Sequence, residues 1–236
     1  MAVLHADEIR ARVEADFDRI VDVLNKKIAL QSISAKGITA DHMKQSAQFV
    51  AEELNKVGVD AHVVQSHNPD GTPRLGGHRF ENRRYRRSNR AVVRASRRAA
   101  GARCQRMEHR PFVGTVIDTR LYGRGAADDG GGIAIHSGAL QALGDDLKVN
   151  IKVFIEGEEE MGSPSFIPFI EEHKDEFDSD VIIVADSGNW SAEIPSLTTS
   201  LRGNTDIDVH VKALHHPVHS GQYGGPILDA NTLAPC

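Results

Sequence analysis

The chain contains very little cysteine, and this scarcity limits the kinds of site it can build. Only Cys104 and Cys236 occur among its 236 residues. A total of two cysteines argues against a disulfide framework. They also argue against a metal site built from several thiolates, so any metal ion would have to rest on other residue types.

Long apolar stretches are missing as well. No run approaches the roughly 20 residues that a membrane-spanning helix needs. Residues 1–8 show neither the basic nor the apolar region of a signal peptide. We therefore expect a cytoplasmic protein with no membrane partner. A hydrophobic content of 40% over this length is enough to bury a large core, as one large domain or as one domain with a fragment.

A third absence is local, because residues 74–110 contain no lysine and only two acids, Glu81 and Glu108. The same window holds thirteen arginines and carries a charge of +11. The rest of the chain therefore carries −16, although the net charge of −5 looks unremarkable. The window, called the arginine-rich window below, follows neither helical nor strand periodicity.

Two interpretations of the arginine-rich window remain open. One is a polyanion-binding arm, since clustered arginine neutralises phosphates. The other is translation in a shifted reading frame of a GC-rich gene, where CGN codons scatter arginine. Codons can be written for residues 94–103 that give Ala-His-His-Asp-Val-Gln-Pro-Val-Pro when read one nucleotide later. That string supplies a metal-binding histidine and a carboxylate to orient it. We favour the second interpretation and expect no nucleic-acid partner.

Three acidic segments predict a common site. They lie at residues 123–129, 156–163 and 184–187. The second and third follow the apolar runs 151–155 and 181–184, which have the pattern of central strands in a parallel sheet. Carboxylates at the carboxyl ends of such strands converge on one crevice. Because clustered carboxylates repel one another unless cations hold them, the pattern predicts a divalent metal site with a spare carboxylate for proton transfer.

The order of the elements predicts an α/β fold, with a mostly parallel sheet flanked by helices. Apolar residues at helical spacing predict one helix from Ile9 to Ile28, and others end at Gly58, Leu143 and Glu172. Strands are expected at 59–64, 151–155 and 181–184, and the alternation in 205–211 indicates a half-exposed antiparallel strand. This change in the sequence pattern predicts a domain boundary near residue 200.

Four motifs together resemble the M20 family of metallopeptidases, in its dipeptidase, carnosinase-like branch. They are Gly-Arg-Gly-Ala-Ala-Asp128-Asp129, Glu158-Glu159-Glu160-Met-Gly-Ser, Asp186, and His219-Ser-Gly-Gln-Tyr-Gly-Gly. The resemblance covers residues 1–73 and 111–233. It implies an incomplete zinc-peptidase-like catalytic domain at 1–200, with the arginine-rich window inside it, and the start of an α+β lid or dimerisation domain at 201–236. It also implies a chain truncated after about residue 233 and a homodimer for the full-length form.

The resemblance implies a role for each motif. Asp128 would bridge two divalent ions, expected to be zinc, with manganese or cobalt as alternatives. Glu160 would bind one ion and Asp186 the other. Glu159 would be the general base for a water that bridges the ions. His219 would polarise the carbonyl oxygen of the tetrahedral intermediate.

Each of these residues also has a plainer interpretation. Asp128 fits a helix N-cap, Asp186 a strand-end cap, and His219 a surface histidine in a glycine turn. The run from Glu158 to Glu160 fits a solvated acidic turn. Among the other histidines, we expect His136 to pack in the core, and His215 and His216 to face solvent.

The resemblance implies metal-dependent hydrolysis of dipeptides or small peptides. The family's His-x-Asp motif should lie in the arginine-rich window and is absent there. A second histidine ligand would lie beyond Cys236. We therefore expect the chain as written to be inactive, to bind metal weakly, and to have a gap in its sheet at the window. The alternatives are a related amidohydrolase that deacylates N-acyl amino acids, and a non-enzymatic polyanion-binding module.

Overall fold

A computed structural model describes residues 5–34, 41–67, 73–74, 78–81, 90–95 and 109–233. Most of the arginine-rich window, including Cys104, lies outside these residues, as does Cys236. The chain divides into two compact units, Met1–Gly188 and Asn189–Cys236, and each is described by itself. The domain boundary expected near residue 200 stays a prediction.

The first apolar stripe forms two helices instead of the single predicted one. Helix α1 spans Ala6–Ala15 and helix α2 spans Phe17–Ala29. The break is at Asp16, whose backbone leaves the helical region (φ −104°, ψ 3°). Arg19 Nη2 donates to Asp16 Oδ2 at 2.6 Å. An aspartate favours such a boundary because its side chain bonds locally instead of continuing the helix.

Helix α3, Asp41–Lys56, ends as its sequence predicts. Gly58 has a positive φ of 88°, a conformation that glycine adopts without a side-chain clash. The Val59 N–H donates to the Leu54 carbonyl at 3.0 Å. The chain then enters strand β1, Asp60–Val63, where Asn55 bonds to both the N–H and the carbonyl of Ala61. These bonds fix how α3 packs on the first strand.

A five-stranded sheet lies at the centre of the first unit, in the order β1-β4-β8-β5-β9. The remaining strands are β2 Ser66–His67, β3 Pro73–Arg74, β4 His78–Glu81, β5 Arg90–Ala95, β6 Thr115–Ile117, β7 Arg120–Tyr122, β8 Asn150–Ile155 and β9 Val181–Val184. Two small antiparallel sheets, β2-β3 and β6-β7, accompany it.

The sheet confirms the α/β class. It also has strands where a gap at the arginine-rich window was expected. Strands β8, β5 and β9 run parallel, whereas β1, β4 and β8 pair antiparallel. Strands β4 and β5 both come from the arginine-rich window, and they flank β8 on its two sides. The prediction of a missing central strand was therefore wrong. Two ordered sheet strands within the window also weigh against a free polyanion-binding arm.

Strand β9 is at the edge of the described sheet, although its apolar sequence predicts a central position. It pairs with β5 on one side, and no described strand lies on the other. Its side chains are between 45% and 64% exposed. A continuous apolar run identified the strand correctly but did not determine its neighbours, since those depend on pairing across distant segments.

Helices cover both faces of β8. Helix α4 is Gly131–Leu143 and helix α5 is Phe166–Glu172. Alternate residues of β8 point to opposite faces. The larger core cluster joins β8 to α3, β1 and α4, and includes Val50, Leu54, Val59, Ile133, Val153 and Ile155. Phe154 packs on the other face with Phe169, Phe166 and Phe177.

The second unit has little regular structure. Its helices are α6, Ser220–Tyr223, and α7, Ala230–Leu233. The strand predicted at 205–211 does not form, and the side chains there are mostly exposed. The alternation of polar and apolar residues was misleading here, because a strand with one buried and one exposed face also needs a partner strand in order to form. Within the described ranges, no helix has the length and apolar character to cross a membrane.

Candidate active site

The carboxyl ends of three parallel strands meet at one edge of the sheet. Strand β5 lies between β8 and β9, and Ala95 pairs with Ile155 while Arg94 pairs with Val184. Because neighbouring strands are about 4.8 Å apart, the ends of β8 and β9 are separated by about 10 Å. The acidic run that follows β8 and the Asp186 that follows β9 therefore leave the sheet side by side, as predicted.

Asp128 lies in the turn Ala126–Gly130, which leads into α4. Asp128 and Asp129 both have non-helical backbone angles, and the peptide bond between them is cis. Asp129 is buried, and its Oδ1 accepts a hydrogen bond from the Gly132 N–H at 3.0 Å. Asp129 therefore caps α4, whereas the half-buried Asp128 is the more accessible of the two.

The end of β9 approaches the same turn. A Cβ built on Gly132 would lie 2.8 Å from the Ala185 carbonyl oxygen and closer still to Asp129 Oδ1. Only glycine leaves room for this contact between α4 and the strand end. Since Asp186 follows Ala185, the contact brings Asp186 into the neighbourhood of Asp128. The side chain of Asp186 is exposed.

The acidic run after β8 divides into buried and accessible members. Glu156 and Glu158 are only 2% and 1% exposed, whereas Glu159 and Glu160 are half-buried in the turn Glu159–Met161. Glu158 Oε2 accepts hydrogen bonds from both the Ser165 N–H, at 3.2 Å, and the Ser165 hydroxyl. Ser165 is the residue before α5, so Glu158 anchors the start of that helix.

Glu158→Ala is expected to lower the free energy of unfolding by about 2–3 kcal/mol, because it leaves two buried donors of Ser165 without their acceptor. Glu159→Ala is the matched control and should cost less than about 1 kcal/mol, since its side chain is partly in solvent. Urea denaturation measures both. Equal losses in the two variants would contradict a structural role specific to Glu158.

A small cavity of about 20 Å³ lies beside Asp128, large enough for about one water molecule. Its polar lining includes Lys27, Ser32, Arg124, Asp128 and Asp129. Lys27 is only 6% exposed, and its Nζ donates to Ser32 Oγ at 2.6 Å. The burial of Lys27 was not predicted, because Lys27 lies next to the apolar stripe of α2 and resembles an ordinary flanking lysine.

Four described histidines were given predicted positions, and their surroundings differ. Among the described residues, His136 Nε2 has no hydrogen-bond partner, and burial lowers the pKa of the His136 imidazole. This agrees with the packed position predicted for it on α4. His215 and His216 are exposed, as predicted. His219 belongs to the second unit, where it caps α6 through its side chain.

These residues do not form a complete metal site. Within the part of the chain that the structure describes, no group of three or more His, Cys, Asp or Glu side chains could hold a metal ion. The turns that carry Asp128 and Asp186 come together, but no described histidine joins them. The ligand roles of Asp128, Glu160 and Asp186 therefore stay predictions.

Comparison with known proteins identifies relatives for this arrangement. The sequence model described as "Peptidase family M20/M25/M40" matches residues 92–220, which is more than half of the chain. A cysteinylglycine-S-conjugate dipeptidase of Corynebacterium striatum is 42% identical over 118 residues, covering 48% of this chain and 26% of that protein. The human Beta-Ala-His dipeptidase is 42% identical over 120 residues, covering 49% and 24%.

A solved structure shows the same fold. The dipeptidase Dug1p of Saccharomyces cerevisiae superimposes with a TM-score of 0.69 at 16% identity, covering 96% of this chain and 50% of that one. The chain thus spans at most about half the length of these three relatives.

Proposed function

The chain belongs to peptidase family M20/M25/M40, and from this premise we propose that it carries part of the catalytic machinery of a metal-dependent dipeptidase. The observation that carries the proposal is the meeting of the Glu156–Glu160 run and Asp186 at the carboxyl edge of the sheet, with the Asp128 turn beside the end of β9. The nature of the named relatives, one acting on cysteinylglycine conjugates and one on Beta-Ala-His, supports dipeptides as substrates.

The burial of the acidic run supports a division of roles. Glu158 is committed to Ser165, whereas Glu159 is half-buried and keeps a carboxylate within reach of solvent. Burial thus disfavours Glu158 and leaves Glu159 and Glu160, and the resemblance to the family selects Glu159 as the proposed general base. It takes a proton from the attacking water and passes it to the leaving amine. Asp128, Glu160 and Asp186 are the proposed ligands of divalent ions, with zinc the first choice and two ions the proposed number. The full-length protein is proposed to be a homodimer.

The chain as written is expected to show no metal-dependent hydrolysis of Cys-Gly or β-Ala-His. The described residues lack a complete ligand set. Loss even of a group that only hydrogen-bonds to a metal ligand typically costs 10- to 100-fold in affinity or activity. An amine-release assay with Zn²⁺, Mn²⁺ and Co²⁺ measures this. A clear metal-dependent rate that is lost in Glu159→Gln would contradict inactivity while supporting the dipeptidase assignment.

Resequencing the gene across codons 70–115 and beyond codon 233 tests the proposal itself. If the His-His-Asp reading appears, the protein expressed from that gene should hydrolyse dipeptides in preference to N-acetyl amino acids. Preferential cleavage of N-acetyl amino acids would favour the amidohydrolase alternative. If the arginines are confirmed, the chain is a remnant without activity or a basic module, and steeply salt-dependent polyanion binding distinguishes these two.

A further inference from the structure

Lys27 is a buried cation in the last turn of α2. Its Nζ donates to Ser32 Oγ at 2.6 Å, and the residue is only 6% exposed. The hydroxyl group accepts one of the three ammonium hydrogens but supplies no opposite charge. Because an ammonium group taken out of water is strongly destabilising unless an anion lies close to it, the burial of Lys27 calls for a nearby carboxylate.

Helix α2 packs directly on the turn Ala126–Gly130. A Cβ built on Gly130 would lie 3.5 Å from Lys27 Cγ and 2.5 Å from the Gly125 carbonyl oxygen. The Gly130 N–H donates to that same carbonyl at 2.8 Å, which closes the turn. The stem of Lys27 therefore lies against the turn that carries Asp128, and both residues line the cavity of about 20 Å³ there.

Among the described residues that line this cavity, the acidic ones are Asp128 and Asp129. Asp129 is stabilised by α4, since its Oδ1 accepts from the Gly132 N–H at 3.0 Å and the amino end of a helix favours a negative charge. Arg124 is a second cation of the lining, but it is half-buried and solvent screens its charge. Asp128 is therefore the carboxylate that remains to balance the buried charge of Lys27.

We propose that Lys27 is the counter-ion of Asp128 and that it opposes the binding of a divalent ion to that carboxylate. Two cations close to one carboxylate repel each other, and a buried site screens this repulsion poorly. A divalent ion at Asp128 would have to displace the ammonium group or bind beside it with lower affinity. Lys27 is thus a positioning residue that acts through Asp128. Its effect on metal binding rests on the proposed function of Asp128 as a ligand, whereas the ion pair does not.

Urea denaturation of a double-mutant cycle in metal-free buffer tests the ion pair. The cycle compares the unmodified chain, Lys27→Met, Asp128→Asn and the double variant. We expect the two effects on the unfolding equilibrium constant to depart from additivity by about 10-fold, because removing either charge leaves the other buried and unbalanced. In the matched control cycle Lys26→Met replaces Lys27→Met, since Lys26 is exposed and its Nζ pairs with Asp22 Oδ2 at 2.6 Å. The effects in the control cycle should be additive.

Additive effects in the Lys27 cycle would overturn the ion pair, as would a larger coupling of Lys27→Met to Asp129→Asn. NMR decides the same point if Lys27→Met fails to fold. The ¹⁵N signal of the Lys27 ammonium group, assigned through its own side-chain carbons, should shift in Asp128→Asn. An unchanged signal would also overturn the ion pair.

Competition with a zinc chelator tests the effect on metal binding. We expect Lys27→Met to raise the affinity of the chain for Zn²⁺ by about 10-fold and Lys26→Met to leave it unchanged. No gain in Lys27→Met would overturn the opposition to metal binding, as would a gain that persists when Asp128 is also replaced by Asn. If Asp128→Asn alone leaves the affinity unchanged, Asp128 is not a ligand and the proposed function fails, while the denaturation cycle still decides the ion pair.

Discussion

Replacing residues 94–102 by Ala-His-His-Asp-Val-Gln-Pro-Val-Pro is expected to raise the affinity of the chain for Zn²⁺ by about 100-fold or more. Loss of outer-shell partners alone changes metal affinity by about 10- to 100-fold, and a direct ligand should matter more. The inserted sequence is the shifted reading of codons that can be written for residues 94–103. It adds histidine, the residue type that the described site lacks.

The sheet explains why this segment is the right place. Ala95 pairs with Ile155, the last residue before the acidic run, and Arg94 pairs with Val184, two residues before Asp186. The histidines and aspartate of the shifted reading therefore enter at the carboxyl end of β5, between the two carboxylate-bearing strand ends. Parallel strands direct their following residues to this edge, where α/β proteins bind ligands.

Competition with a chromophoric zinc chelator measures the affinity. The matched control replaces the same residues by Ala-Asn-Asn-Asp-Val-Gln-Pro-Val-Pro, which keeps the length and polarity but removes the imidazoles. We expect the control to bind Zn²⁺ as weakly as the unmodified chain. Equal affinity in the two replacements would show that the shifted reading adds no ligand, and the frame hypothesis would lose its chemical basis.

Much of the fold could be predicted from local patterns. The apolar periodicity of α3, the glycine at its end and the runs of β8 and β9 each correspond to an observed element. Strands β4 and β5 were missed because arginines obscure the alternation on which strand prediction depends. Their pairing with β8 is a long-range property that no local window contains.

The candidate site was predictable to the level of segments but not of individual carboxylates. Glu158, Glu159 and Glu160 are equivalent in sequence, and only burial separates them: Glu158 turns inward to Ser165, while its two neighbours stay half-buried. Asp128 and Asp129 differ in the same way, because the side chain of Asp129 turns inward to cap α4 and that of Asp128 does not. A run of acidic residues in a turn predicts that carboxylates are present. The direction of each side chain, however, depends on the backbone angles of that turn.

Replacing a single glutamate by glutamine separates the roles of the adjacent carboxylates. In the protein read from a corrected gene, Glu159→Gln is expected to lower kcat for Cys-Gly by about 100- to 10,000-fold, the range for loss of a general base. Glutamine keeps the size of the side chain but cannot accept a proton. KM and the bound metal should change little, because Glu159 is not a proposed ligand. Steady-state kinetics and metal analysis of the purified variant measure these quantities.

Glu172→Gln is the control for the Glu159 variant, since Glu172 is an exposed carboxylate at the end of α5 and should leave kcat unchanged. A loss of bound metal in Glu159→Gln would make Glu159 a ligand, and the proton transfer would need another group. A decrease of less than about 10-fold, with metal retained, would remove Glu159 as the base. Glu160 would then be the next candidate, because it shares the half-buried turn while Glu158 is held by Ser165.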